Sequence, residues 1–199
     1  MISHERQFIF VHVPKTAGTA VSEALGEPRD RKHSTLEMII QDGLGRNPLK
    51  KLFRRKILDY FKFAFVRNPW DRAVSLYMEK KQTGWLNDGV EFSDFVQYVY
   101  SNPKMISEDP NLRFHCRPCY HWLTIKDDFE IDFVGRFEQL QADFDVICDS
   151  VNLQKSRLPI LRKRDRGHYS TFYNERTRKI VADYNRVDID HFSYRFEQC

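Results

Sequence analysis

Three short apolar runs mark the chain, and each gives way to a stretch in which apolar residues recur every three or four positions. The first, Phe8-Ile9-Phe10-Val11-His12-Val13, runs into a loop bounded by Pro14 and Gly18. Val21, Ala24 and Leu25 then form the apolar face of a helix beginning near Thr19. The second run, Phe61–Val66, stops at Arg67-Asn68-Pro69. Asn68 suits an N-cap, Pro69 the first helical position and Asp71 the first turn, so a helix is predicted over 69–81. The third run, 131–134, is closed by Gly135 and followed by Leu140, Phe144, Ile147 and Val151 at helical spacing. Ser93 is placed to cap a helix ending at Tyr100, inside a helical and loop-rich stretch over 84–130. A last helix over 174–186 starts at Asn174 and turns Ile180, Val181 and Tyr184 inward.

Near-continuous apolar runs are typical of strands buried on both faces of a parallel sheet. Strands alternating with helices predict an α/β fold of three layers, a central and mainly parallel sheet flanked by helices. Ligands in such folds lie beyond the carboxyl ends of the strands. The 199 residues suit one domain over 1–199, and a 14% aromatic content with sixteen Phe supplies its core. No apolar run is long enough for a membrane span.

Charge adds a partner class. The net value is only +4, but Arg46, Lys50, Lys51, Arg54, Arg55 and Lys56 form one basic run, and 155–166 forms another. Two such runs point to an anionic ligand or polymer. No helix-turn-helix, zinc-finger or RNP pattern accompanies them, so nucleic acid is not the expected partner. The four cysteines, at 116, 119, 148 and 199, are too sparse for a disulfide scaffold. Cys116-x-x-Cys119 with His115 and His121 lacks the second ligand pair of a structural zinc site, and free thiols in a reducing compartment are the expected state.

The loop after the first strand carries the chemistry. Pro14, Lys15, Thr16, Ala17, Gly18, Thr19 and Ala20 combine one cation, two hydroxyls and a helix N-terminus, the parts of a phosphate cradle. Lys15 precedes Gly18, and Pro14 stands where the nucleotide P-loop has its first glycine, so the magnesium-binding Gly-Lys-Ser/Thr end is missing. The loop resembles instead the 5′-phosphosulfate loop of sulfotransferases that use 3′-phosphoadenosine 5′-phosphosulfate (PAPS), in the carbohydrate branch with its His-x-Pro-Lys-Thr-Ala-Gly-Thr-Ser pattern. Ala20 departs from that pattern, which expects a hydroxyl there.

Three further segments share the resemblance. Arg67-Asn68-Pro69-Trp70-Asp71-Arg72-Ala73-Val74-Ser75 is similar to the family's 3′-phosphate motif, implying that Arg67 and Ser75 grip the ribose 3′-phosphate. Val134-Gly135-Arg136-Phe137-Glu138 resembles an architectural segment in which Gly135 makes a turn and Arg136 pairs with Glu138. His168-Tyr169 through Tyr173, and then Asp188 to Phe196, resemble the family's closing segment, and the basic loop 161–166 before them falls where the family folds over the nucleotide, implying that Arg164 or Arg166 reaches the 3′-phosphate. Arg72 is read as the partner of a surface carboxylate, and His12 as structural.

The resemblance implies a P-loop-like, single-domain sulfotransferase with PAPS as donor, 3′-phosphoadenosine 5′-phosphate as product and no metal. The acceptor is a hydroxyl, of a carbohydrate or glycoconjugate. Lys15 is the catalytic cation, and His33 is the first choice for the general base, with His115 and Glu37 as substrate-side alternatives. Golgi members of the family carry an anchor and stem that this sequence does not show, which predicts a cytoplasmic protein of microbial type or else a trimmed piece of a longer one. Two rivals fit parts of the pattern: a small-molecule kinase with a P-loop-like site, and a non-catalytic module for an anionic polymer.

Overall fold

The computed structural model describes residues 1–26, 33–44, 56–102, 109–159 and 167–198. Their elements, in chain order, begin with strands β1 (Ile2–Ser3) and β2 (Phe8–Val11) and helices α1 (Gly18–Ala24) and α2 (Leu36–Leu44). Strand β3 (Phe61–Val66) leads to α3 (Pro69–Gln82), α4 (Phe92–Tyr100) and α5 (Pro110–Cys116). Strands β4 (Thr124–Ile125), β5 (Asp128–Phe129) and β6 (Phe133–Arg136) precede α6 (Leu140–Ser150). A 3₁₀ turn over Tyr169–Phe172 then leads to α7 (Glu175–Tyr184) and α8 (Arg186–Phe192). These residues group into two compact units, one of Met1–Val66 with His121–Arg162 and one of Arg67–Tyr120 with Lys163–Cys199.

The first unit holds a four-stranded sheet in the order β1-β2-β3-β6. β2, β3 and β6 run parallel, with Val11 opposite Ala64 and Phe65 opposite Gly135; β1 pairs antiparallel to β2. Phe8, Phe10, Phe63 and Phe65 pack with Val21 and Leu25 of the α1 segment and with Phe144, Ile147 and Cys148 of α6. That is the expected α/β arrangement. One polar letter interrupts β3. Lys62, 7% exposed, donates from Nζ to the carbonyls of Leu58 (3.0 Å) and Tyr60 (3.1 Å) and pairs with Asp132 at 3.1 Å. The Lys62 N–H also donates to Asp132 Oδ2 at 2.7 Å, and the Asp132 N–H returns to the Lys62 carbonyl. A lysine and an aspartate thus lock β3 beside the start of β6.

The third strand lies two residues later than its apolar run suggests. Gly135 sits inside β6 rather than closing it, and what it answers to is space: a Cβ there would come within 2.5 Å of the Phe65 ring. The β4–β5 hairpin is likewise absent from the sequence reading. Its turn residues, Lys126 and Asp127, take positive φ (50° and 69°), as a tight hairpin needs, without the usual Asn-Gly signal.

In the second unit α3 begins as predicted. Asn68 Oδ1 accepts the N–H groups of Trp70 (3.1 Å) and Asp71 (3.3 Å), and Pro69 is the first helical residue. Ser93 lies inside α4, whose cap position is Glu91. Asn174 and Thr177 form a capping box on α7, and the helix expected to reach 186 breaks at Asn185 before α8. Arg72 is no surface residue. It is 3% exposed, and its Nη2 donates to the carbonyls of His115 (2.9 Å) and Arg117 (2.6 Å). Asp188, 1% exposed, accepts the N–H groups of Cys119 (2.6 Å) and Tyr120 (2.8 Å). Cys116, Cys119 and Cys148 are buried free thiols. Among the described residues, no helix is long and apolar enough to cross a membrane.

Candidate functional site

β2 ends at Val11, on the carboxyl edge of the sheet, and the loop that follows is tightly wound. Lys15 (φ 70°) and Ala17 (φ 66°) both adopt the left-handed backbone that non-glycine residues seldom take. Thr16 lies fully buried between them and donates its hydroxyl to the Val13 carbonyl at 2.9 Å, which ties the loop to itself. The N–H groups of Ala20 and Val21 both reach the Ala17 carbonyl. The amides of Gly18 and Thr19 therefore precede the first intrahelical donor, the Ala20 N–H, at the positive end of α1.

Gly18 is fixed by a neighbour. A Cβ on it would lie 1.9 Å from Cδ2 of His12, so the imidazole occupies the space a side chain would need. Pro14, Gly18 and Ala20 are buried, whereas Lys15, Ala17 and Thr19 are half-buried. Ala20 places a methyl group where the resembled pattern has a hydroxyl.

His33 is held beside this loop. Its Nδ1 lies 3.2 Å from the His12 carbonyl oxygen, and its ring meets His12 and Trp122 edge-on at centroid distances of 4.6 and 6.2 Å. A carbonyl can only accept, so Nδ1 carries the proton and the neutral ring keeps its lone pair at Nε2. Glu37 is half-buried in the first turn of α2, which Thr35 caps by accepting the Met38 N–H at 3.3 Å. His115 belongs to the second unit. It lies in the last turn of α5, and its carbonyl is one of the two that Arg72 holds.

Arg67 follows Val66 directly and is 7% exposed. Its Nε and Nη2 both meet Asp71 Oδ2 at 2.8 Å. Asp71 and Ser75 are one turn apart on α3, so Arg67, Asp71 and the half-buried Ser75 share a face. From sequence alone Asp71 is expected only to favour the helix dipole; its i, i+4 spacing from Arg67 is the available sign of this ion pair. Cys119 lies behind the same turn. Burial pushes its thiol up to about 12, against the opposing influence of Arg72 and a hydrogen bond from the Arg67 backbone. Arg164 and Arg166 fall outside the described residues.

The profile of the sulfotransferase family matches residues 1–195. The chain belongs to the sulfotransferase family. Among curated members, human carbohydrate sulfotransferase 14 is 27% identical over 179 residues, covering 76% of this chain and 46% of that protein. The Danio rerio protein of the same name is 25% identical over 194 residues, covering 80% and 50%. This sulfotransferase-family chain thus spans about half the length of the curated relatives it matches. A solved sulfotransferase from Alicyclobacillus acidocaldarius superposes with a TM-score of 0.50 over 96% of both chains, at 11% identity. That likeness shows a shared fold.

Proposed function

We propose that this sulfotransferase-family protein moves a sulfuryl group from PAPS to a hydroxyl of a carbohydrate or glycoconjugate. The observation that carries the reading is the loop with left-handed Lys15 and Ala17 at the carboxyl edge of the sheet, with His33 hydrogen-bonded to the His12 carbonyl just before it. The residues fit an anionic nucleotide. Lys15 is a cation on a wound loop, and the amides of Gly18 and Thr19 stand at a helix start. Arg67 carries a planar fork already oriented by Asp71, and Ser75 adds a hydroxyl one turn beyond. When bound, PAPS supplies the activated sulfuryl group and the phosphate that leaves.

In this reading Lys15 and the loop amides neutralise the charge that grows on the 5′-phosphate side. Arg67 and Ser75 hold the 3′-phosphate, with Arg164 and Arg166 from the basic segment. Nε2 of His33 takes the proton of the acceptor hydroxyl, and the His12 carbonyl holds the ring in the tautomer that can accept it. Glu37 and His115 are assigned to the acceptor side. The names of the curated relatives support a carbohydrate acceptor. A cytoplasmic location is part of the proposal and is supported by three buried free thiols.

Calorimetry with 3′-phosphoadenosine 5′-phosphate in metal-free buffer tests the reading against ATP with magnesium. At a hundredfold excess over its dissociation constant the bisphosphate should stabilise the protein by about 2.7 kcal/mol. A response to ATP–magnesium alone would favour a kinase and sink the proposal. Lys15→Ala should abolish transfer. His33→Gln should lower kcat by roughly 10²–10⁴-fold while leaving bisphosphate affinity within about twofold; unchanged turnover removes His33 as the base.

A further inference from the structure

The end of the described chain is pinned to the turn that carries Arg67. Asn68 spends its two amide atoms in opposite directions. Its Oδ1 receives the Trp70 and Asp71 N–H groups, while its Nδ2 donates to the Arg195 carbonyl at 3.1 Å and to the Tyr169 hydroxyl oxygen at 3.4 Å. The same phenolic oxygen accepts the Glu197 N–H at 2.7 Å. Between these bonds Phe196 meets Trp70, Tyr169 and Tyr173 edge-on at 5.4, 5.5 and 5.5 Å, and the Arg178 guanidinium lies 5.4 Å from its ring centroid. Tyr173 closes the group by donating its hydroxyl to the Trp70 carbonyl at 2.8 Å.

An asparagine side chain can present either end of its amide. The Trp70 and Asp71 N–H groups need Oδ1 on the α3 side, and the acceptors behind, the Arg195 carbonyl and the Tyr169 oxygen, hold Nδ2 and so brace that orientation from the tail. That first turn contains Asp71, and Asp71 receives the Arg67 fork. A chain of contacts therefore runs from the tail to the guanidinium, through one amide and one carboxylate.

We infer that Phe196, Tyr169 and Asn68, with the tail backbone at Arg195 and Glu197, are positioning residues that aim Arg67 at a nucleotide 3′-phosphate. The inference rests on the reading of Arg67 given above. It adds that the guanidinium's direction is set from the tail, more than a hundred residues away in sequence. Tyr169→Phe is the sharpest probe, since it deletes one oxygen, leaves the ring packed and changes no charge. Phe196→Ala loosens the tail while removing no hydrogen-bonding atom.

Titration calorimetry with 3′-phosphoadenosine 5′-phosphate and with adenosine 5′-phosphate measures the preference that the 3′-phosphate confers. Both variants should lose about five- to tenfold of that preference, the scale of one hydrogen bond. Affinity for adenosine 5′-phosphate should stay within about twofold, and amide exchange at Trp70 and Asp71 should quicken. Faster exchange with the preference intact would overturn the inference, since the turn would then loosen without effect on binding. Equal losses for both nucleotides would also overturn it, as general damage. Should the wild-type protein show no preference, and so match Arg67→Ala, the Arg67 reading falls and takes the inference with it.

Discussion

Gly18 stands 1.9 Å, from its absent Cβ, to a histidine ring, and this contact can be weighed by itself. Gly18→Ala should cost about 2–3 kcal/mol in urea unfolding, because a methyl group there displaces His12. In a His12→Ala background the same change should cost less than about 1 kcal/mol. Equal costs in the two backgrounds would point to backbone strain instead. The letters of the loop were legible because Lys15, Gly18 and Thr19 bear the chemistry of an anion site. Its winding was not. Lys15 and Ala17 are left-handed without being glycine, a state that costs roughly 1–2 kcal/mol each and leaves no mark in the sequence. His12, read simply as structural, supplies both the ring against Gly18 and the carbonyl that meets His33.

Among the elements, the clamp between β3 and the start of β6 is the feature that a hydropathy pattern hides. Lys62→Ala should destabilise the protein by about 1–2 kcal/mol, less than a fully buried pair because Asp132 is 45% exposed. Denaturant unfolding checks this, and a cost near zero would mean that backbone pairing alone sets the register. β2, β3 and α3 were readable because their signals are local: apolar runs, then Asn-Pro at a helix start. β6 was misplaced because its glycine answers to Phe65, seventy residues earlier in the chain, through the sheet register. The β4–β5 hairpin escaped because Lys126-Asp127 carries no turn signature. Arg72 was expected to pair with a surface carboxylate because nothing near it in sequence reveals the carbonyls of His115 and Arg117.

For the whole molecule, the buried thiols set an alkaline limit. Burial pushes Cys116 and Cys119 each up to about 12, and Tyr184 to the same level. An unfolded thiol ionises near about 8.5, so below that pH both states keep their protons and stability is complete. As pH rises toward 12 the unfolded chain loses protons that the folded one retains. Stability then falls by about 1.4 kcal/mol per pH unit for each thiol. Urea midpoints at pH 8 and pH 10 should show this decline, and Cys116→Ala should flatten it; a flat wild-type profile would contradict it. The bond between Asn68 and Arg195 also has a consequence for synthesis. It joins residues 127 apart, so the turn holding Arg67 is made early and completed late. At 5–20 residues per second a growing chain waits on the order of ten seconds between them. Throughout that interval the first turn of α3 has its Asn68 cap but not the tail that braces the amide from behind, and a chain that stops short of residue 195 never gains it.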